Sequence, residues 1–279
     1  MLNFVHIGIG QCGNRFAEQF GKSGRIALAI NTAKVDMSAI DSKAINPKNQ
    51  IHIALPGNPD GAGRDPNIGR ESMEANLDMV YDIITKATKD VTVSRFVLWA
   101  GLGGGTGTGG VIPLMRYLTE KGHKVMLGLT LPRKQESWVV RMNAVKAFSE
   151  ILNAMKEDRR SVIPYLVIDN ERVAGGLASA NEPIARDLIR FTKTTTNAPA
   201  DSAFDDTDFA KLLNYRGLVS LARAIIPVEN LKGTDALLKA VEESRAKSLL
   251  AKSYPEDAMG VANLVIVPSK FFKVKGNYG

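Results

Sequence analysis

Gly103-Gly104-Gly105-Thr106-Gly107-Thr108-Gly109-Gly110 stands between two apolar runs, Phe96 to Leu102 and Val111 to Leu118. The first reads as a buried strand and the second, by its spacing, as a helix. A flexible linker would not be clamped between two such runs. The glycine run is therefore a turn between the carboxyl end of a strand and the amino end of a helix. Helical N–H groups at such an end lack internal partners and the helix dipole is positive there, so the place suits an anion. Glycines allow close approach of the backbone and the threonines add hydroxyl donors. The chemistry that fits is a polyphosphate. The common phosphate loop, G-x-x-x-x-G-K-S/T, requires a lysine after the last glycine. Val111 stands there instead, so main-chain and hydroxyl donors have to hold the phosphates.

A second turn of the same kind opens the chain. Asn3 to Ile9 reads as a strand, Gly8-Ile9-Gly10-Gln11-Cys12-Gly13 matches G-x-G-x-x-G, and Arg15 to Phe20 continues at helical spacing. Dinucleotide-binding enzymes share this pattern but place an acid at the end of the second strand. That strand is Ile26 to Ile30, and Asn31 and Thr32 follow it. An NAD(P)-dependent Rossmann oxidoreductase stands as the competing reading.

The rest of the front half alternates. Ile51 to Leu55 reads as a strand, Pro56 to Gly69 as a Gly/Pro-rich loop, and Glu71 to Ala87 as one amphipathic helix. Lys124 to Leu131 is a strand, Arg133 to Glu136 a polar loop, and Trp138 to Met155 a helix with Val139, Met142, Val145, Ala147 and Leu152 inward. Trp99 and Trp138 read as packing residues. Tyr165 to Ile168 is the next strand. Alternating strands and helices with buried strands give an α/β doubly wound parallel sheet, whose ligands sit beyond the carboxyl ends of the strands. Arg64 and Arg70 in or beside the long loop either reach a phosphate tail or are simply solvated.

Asn181-Glu182-Pro183 opens a helix with a good N-cap and a proline suited to the first turn. An acidic stretch follows, then a helix from Phe209, a strand from Leu218 to Val228, a helix from Asp235 to Lys252, and strands at Gly260 to Val267 and Lys270 to Lys275. This rear part reads as a second, smaller α+β domain.

The chain has 279 residues, 44% hydrophobic, enough for a sizeable core. No apolar run approaches the ~18 residues of a membrane span, and Met1 to Phe4 has no basic leader. A single cysteine, Cys12, excludes an internal disulfide framework and fits a reducing cytoplasm. His6, His52 and His123 are scattered and suggest no metal site. The net charge of +7 permits an acidic partner without specifying one.

Taken together the loops resemble those of the tubulin/FtsZ superfamily of GTPases. Gly10-Gln11-Cys12-Gly13-Asn14 is similar to the first nucleotide loop, Ala29-Ile30-Asn31-Thr32 to the second, Gly61 to Arg70 to the γ-phosphate-sensing loop, and Gly103 to Gly110 to the signature loop. Ile168-Asp169-Asn170-Glu171 is like the strand end whose asparagine reads guanine, and Asn181 falls at the second base-reading position. Leu177 falls where the family stacks an aromatic on the base. The resemblance implies GTP or GDP as ligand, with Mg²⁺ held through water and phosphates. It implies contacts from Gly10, Gln11, Cys12, Asn14, Asn31, Gly61, Gly63, Arg64, Gly103, Gly104, Gly105, Thr106, Gly107, Thr108, Gly109, Asn170 and Asn181. Glu136 takes the place of a ribose-binding acid, and Arg141 matches a phosphate-binding arginine.

The resemblance also implies a partner: a second copy of the chain, joined head to tail. In the family the catalytic acids come from the neighbouring subunit, in the loop after the central helix. Asp205 and Asp208 have the expected spacing, with Asp206 between them; capping of the following helix is the plainer role for such acids. The implied division is a GTP-binding domain over 1–178, a central helix and connector over 179–200, and an activation domain over 201–279 that is shorter than usual. Ile30-Asn31-Thr32-Ala33-Lys34 favours the divergent plasmid and phage tubulins (TubZ and PhuZ type), whose filaments move DNA or phage particles. An FtsZ-like division protein and a non-catalytic scaffold are the alternatives. The basic run Lys270 to Lys275 either meets an acidic partner or a DNA-bound adaptor, or is an edge strand guarded by lysines.

Overall fold

Phe4–Ile9 (β1) is buried at every position, as is Ala27–Asn31 (β2). Strands covered on both faces belong in the middle of a parallel sheet. The computed structural model describes residues 3–55, 57, 60–158, 161–176, 181–197, 206–230 and 234–262. With Gln50–His52 (β3), Arg95–Gly101 (β4), Val125–Leu131 (β5), Pro164–Asp169 (β6) and Gly217–Leu218 (β7), the strands form one sheet in the order β3-β2-β1-β4-β5-β6-β7. All six pairings are parallel.

Two cores flank the sheet. One packs Ile7, Leu98 and Leu127 against Pro66–Ala75 (α3), Leu77–Thr88 (α4), Thr106–Glu120 (α5) and Trp138–Glu157 (α6). The other packs Val97, Trp99 and Leu166 against Gly10–Lys22 (α1), Asn181–Asn197 (α7) and Asp206–Leu212 (α8). The remaining α-helices among the described residues are the short Lys34–Ser38 (α2) and Thr234–Ala246 (α9). α1 leaves β1 on one face and α5 leaves the adjacent β4 on the other. Strand order reverses between β1 and β4, and such a switch point opens a crevice at the carboxyl edge of the sheet.

Several sequence expectations are corrected. The helix expected over Glu71 to Ala87 is two helices broken at Asn76, whose Nδ2 donates to the carbonyls of Ser72 (2.8 Å) and Ala54 (3.3 Å). A side chain that bonds the local backbone competes with the helical ladder. The inward face of α6 is Val140, Ala144, Ala147, Ile151 and Ala154, while Val139 and Val145 are exposed. Small residues set that phase because they allow close packing, and the larger β-branched side chains misled the reading. Trp138 is 67% exposed, whereas Trp99 is fully buried. The strand expected over Leu218 to Val228 is only Gly217–Leu218, and it joins the front sheet beside β6. Phe209, Leu213 and Leu250 likewise share the second core with front-half residues. No strand occupies 260–262; the expectations for 263–267 and 270–275, and the residues Leu177 and Asp205, lie outside the described residues.

Candidate functional site

At the switch point β1 passes directly into α1 through Gly10, whose φ of +71° suits glycine. A Cβ on Gly10 would stand 2.9 Å from the backbone nitrogen of Gly107, so the starts of α1 and α5 abut. Neither helix start has a side-chain cap or an acid in its first turn. By contrast α3 is capped by Asp65 and α6 by Ser137. Two unneutralised helix dipoles thus converge on one spot. They border a cavity of about 800 Å³, within the range of small-ligand sites.

The expected residues Gly10, Gln11, Cys12, Asn31, Gly61, Gly63, Arg64, Gly104, Gly105, Thr106, Gly107, Glu136, Asn170 and Asn181 all line this cavity. The walls are cross-braced. Thr32 and Thr106 hydroxyls are hydrogen-bonded at 2.7 Å. The Asp36 carboxylate accepts from Gln11 Nε2 (3.1 Å) and Asn31 Nδ2 (3.2 Å). The long loop is tied down by Gly61 N–H to the Thr32 carbonyl (3.1 Å), and by Asn143 Nδ2 to the carbonyls of Arg64 (3.2 Å) and Gly103 (3.4 Å). Arg64 is the single non-glycine with positive φ, 65°, among the described residues. Burial pushes the Cys12 thiol above its ordinary pKa, so it is no ready nucleophile. At the far end Asn170 and Asn181 are buried, and their side-chain amides have no hydrogen-bond partner within the described residues. Glu136 turns one oxygen to the N–H of Arg133 (3.0 Å), leaving the other.

Other expected contacts lie behind the lining. Thr108 folds back, its hydroxyl accepting from Gly103 N–H (2.8 Å). Gly109 packs against Pro66 and Arg70 of α3, where a side chain would collide with backbone. The glycine run is thus divided: 104–107 line the cavity, while 103 and 108–110 do not. Asn14 is buried, its Oδ1 accepting from Ile30 N–H (3.2 Å), and borders a smaller adjoining hollow with Gln11, Arg15 and Asn181. Arg141 is exposed on α6, and Arg70 pairs with Glu150 outside the cavity. Reading the sequence missed Asp36 and Arg15. Arg15 is four residues beyond Gln11 on one helix face, a signal that was available.

Asp206 and Asp208 are elsewhere. Phe209 of α8 packs against Phe4 at 5.8 Å, and the Leu213 carbonyl accepts from Arg95 at 3.1 Å. Phe4 and Arg95 are the first residues of β1 and β4. So α8 sits at the amino edge of the sheet, opposite the cavity. Asp208 is partly exposed there and faces Lys211 at 3.4 Å. Asp206 begins α8. Among the described residues no group of three or more His, Cys, Asp or Glu could hold a metal ion, and no helix is long and apolar enough to cross a membrane.

Fold and cavity together define a doubly wound α/β protein with a cavity at the carboxyl edge of its sheet. Strand order does not separate dinucleotide enzymes from other nucleotide binders; the family comparison does. Residues 3–176 match the family model Tubulin/FtsZ family, GTPase domain, and the chain belongs to that family. It is 30% identical over 247 residues to the tubulin-like protein TubZ of Bacillus cereus, covering 80% of this chain and 54% of TubZ. It is 30% identical over 284 residues to the tubulin-like protein CetZ of Pyrococcus furiosus, covering 92% and 74%. The chain therefore spans about half the length of the TubZ relatives it matches. Its fold is similar to that of TubZ-Bt in a helical model of a two-stranded filament (TM-score 0.75, 22% identity, 90% of this chain and 68% of that one). It is also similar to CetZ1 from Haloferax volcanii, a GDP-bound monomer (TM-score 0.65, 24% identity, 78% and 66%).

Proposed function

We propose that the cavity binds GTP and GDP, and that the chain hydrolyses GTP when copies stack head to tail. The observation that carries the reading is the convergence of two uncapped helix starts, α1 and α5, on a cavity whose far end holds two buried asparagines with no side-chain partner among the described residues. The helix starts take the phosphates, with Gly104 to Gly107 and the Gly61 to Arg64 loop around them. Asn170 and Asn181 read guanine, and Glu136 meets the ribose. Mg²⁺ arrives with the nucleotide, ligated by phosphates and water. Gln11, whose amide nitrogen is taken by Asp36, keeps its oxygen for a donor such as that water.

Asp206 and Asp208 cannot serve their own cavity. β1 alone separates the two edges of the sheet by roughly 17 Å, at about 3.3 Å per residue. A second copy stacked on the carboxyl edge would bring its own α8 over the nucleotide. There Asp208, with Asp205 or Asp206, would orient the attacking water. TubZ and CetZ2 relatives are described in protofilaments, which supports a filament for this chain too. The division into a nucleotide-binding unit (1–178), a central helix (179–200) and an activation unit (201–279) is part of the same reading. We place the filament in the cytoplasm, moving plasmid or phage DNA through a DNA-bound adaptor.

The nucleotide released on denaturing purified protein should be guanine-containing; adenine or nicotinamide would overturn the base assignment. Turnover per molecule should rise with protein concentration, and Asp208→Ala should bind GTP without hydrolysing it. Turnover unchanged on dilution of a monomeric sample refutes catalysis between subunits.

A further inference from the structure

Arg133 follows Pro132 at the end of β5 and does not itself line the cavity. Its partly buried guanidinium reaches across to the loop after β6. Nε donates to the carbonyl of Asn170 (3.1 Å), and Nη2 donates to those of Val173 (2.8 Å) and Gly175 (2.6 Å). Beside it the Lys134 N–H donates to Glu171 Oε2 (3.0 Å), and the Glu171 N–H to Asp169 Oδ1 (3.0 Å). Two adjacent residues of one cavity loop thus grip four groups of another, at Asn170, Glu171, Val173 and Gly175. A planar guanidinium can span several carbonyls at fixed geometry, and an ammonium cannot.

The gripped loop carries Asn170. Its backbone carbonyl is held from two sides, by Arg133 and by Val173 N–H (3.2 Å). Its buried side chain meets the cavity with no partner of its own there. What aims that amide is therefore its backbone, and what fixes the backbone is Arg133. We propose that Arg133 is the positioning residue for purine discrimination: it touches no ligand and acts through Asn170. The proposal rests on the reading of Asn170 as a base contact. It predicts a loss confined to the base end, because the helix starts that take phosphate lie on β1 and β4, away from this clasp.

The test is calorimetric binding of GTP, ATP and inorganic triphosphate to nucleotide-free protein, for wild type, Arg133→Lys and Arg133→Met. Both variants should lose about tenfold of the GTP-over-ATP preference, the scale of one net hydrogen bond. Triphosphate affinity should stay unchanged. An undiminished preference in both variants overturns the proposal, as does a parallel loss of triphosphate binding. If neither variant folds, Arg133 is a folding residue and the proposal also falls. A wild type without guanine preference would instead sink the base reading, a separately visible outcome.

Discussion

Substituting alanine at Gly109 and at Gly104 separates the two halves of the glycine run. At Gly109 an added Cβ falls inside the van der Waals shell of the Pro66 carbonyl oxygen and stands 2.5 Å from the Arg70 backbone nitrogen. Both are backbone atoms of α3, so no side chain can swing aside, and the two helices must part. Overpacking costs about 1–3 kcal/mol and occasionally more, against about 1 kcal/mol gained by alanine over glycine inside a helix. With backbone on both sides of the clash the upper end applies, giving a net loss of about 2 kcal/mol. For a chain of this size that is a fall of roughly 4–8 °C in midpoint. At Gly104 no atom lies within 4 Å of the added Cβ, and the residue lines the cavity. Gly104→Ala should melt like wild type yet, if the cavity takes phosphate as proposed, bind GTP more weakly, because its methyl would enter that cavity. Thermal unfolding of nucleotide-free protein and titration with a fluorescent GTP analogue give both readouts. A Gly109→Ala protein of wild-type stability with crippled binding would refute the division, and return the whole run to the phosphate.

Two further outcomes follow from buried and exposed rings. His6 stacks on Phe20 at 3.6 Å and accepts from Trp99 Nε1 at 3.1 Å; burial, then the charge of Arg25, holds its pKa well below the ordinary value. It is neutral in the fold, so the unfolded chain binds the extra proton below about pH 6.5. Urea-unfolding stability should be level on this account above about pH 6.5 and fall below it, by up to about 1.4 kcal/mol per pH unit until the folded pKa is reached. His123 shifts the same way through burial and adds to the slope; a stability profile flat from about pH 7.5 to 5.5 contradicts this. Trp138 and Trp99 are the two tryptophans, 67% and 0% exposed, so iodide should quench one emission component, and Trp138→Phe should abolish that component. Quenching that survives the substitution would mean Trp99 is reachable.

The parallel sheet was legible because its strands are apolar on both faces and each is punctuated by glycine, asparagine or proline. Asn181 could be placed at a helix start, and Asn170 at a strand end, from the same punctuation. Their burial beside one cavity could not be seen, because it is decided by elements far apart in the chain. The phase of α6 was misread for a related reason. Alanine carries little hydrophobic weight in a one-dimensional pattern, yet Ala144 and Ala154 face inward together with Val140, Ile151 and the expected Ala147. Close approach to the sheet rewards small volume, a property of the packed pair and not of the helix alone. Asp36 escaped notice because its work is to orient amides of Gln11 and Asn31, and an acid in a short polar helix has no periodic signature.

The rear residues show where linear reading stops for a physical reason. Of the strand drawn from Leu218 to Val228 only Leu218, with Gly217 before it, pairs, and its partner is β6. Arg95 explains how that seam holds. Its buried guanidinium donates to the carbonyls of Val125 (2.9 Å), Val162 (3.3 Å) and Leu213 (3.1 Å), and burial brings its pKa down to about 10. A cation this buried persists because three carbonyls from three segments replace its water. It ties the end of α8 to the amino edge of β4, whose other end runs into the glycine turn. The helix that begins at Asp206 is thereby fixed to the same rigid sheet as the cavity, but at the opposite pole. A sheet that holds the nucleotide pocket and the acid-bearing helix at opposite poles makes hydrolysis, on the reading proposed here, a property of two molecules and not of one.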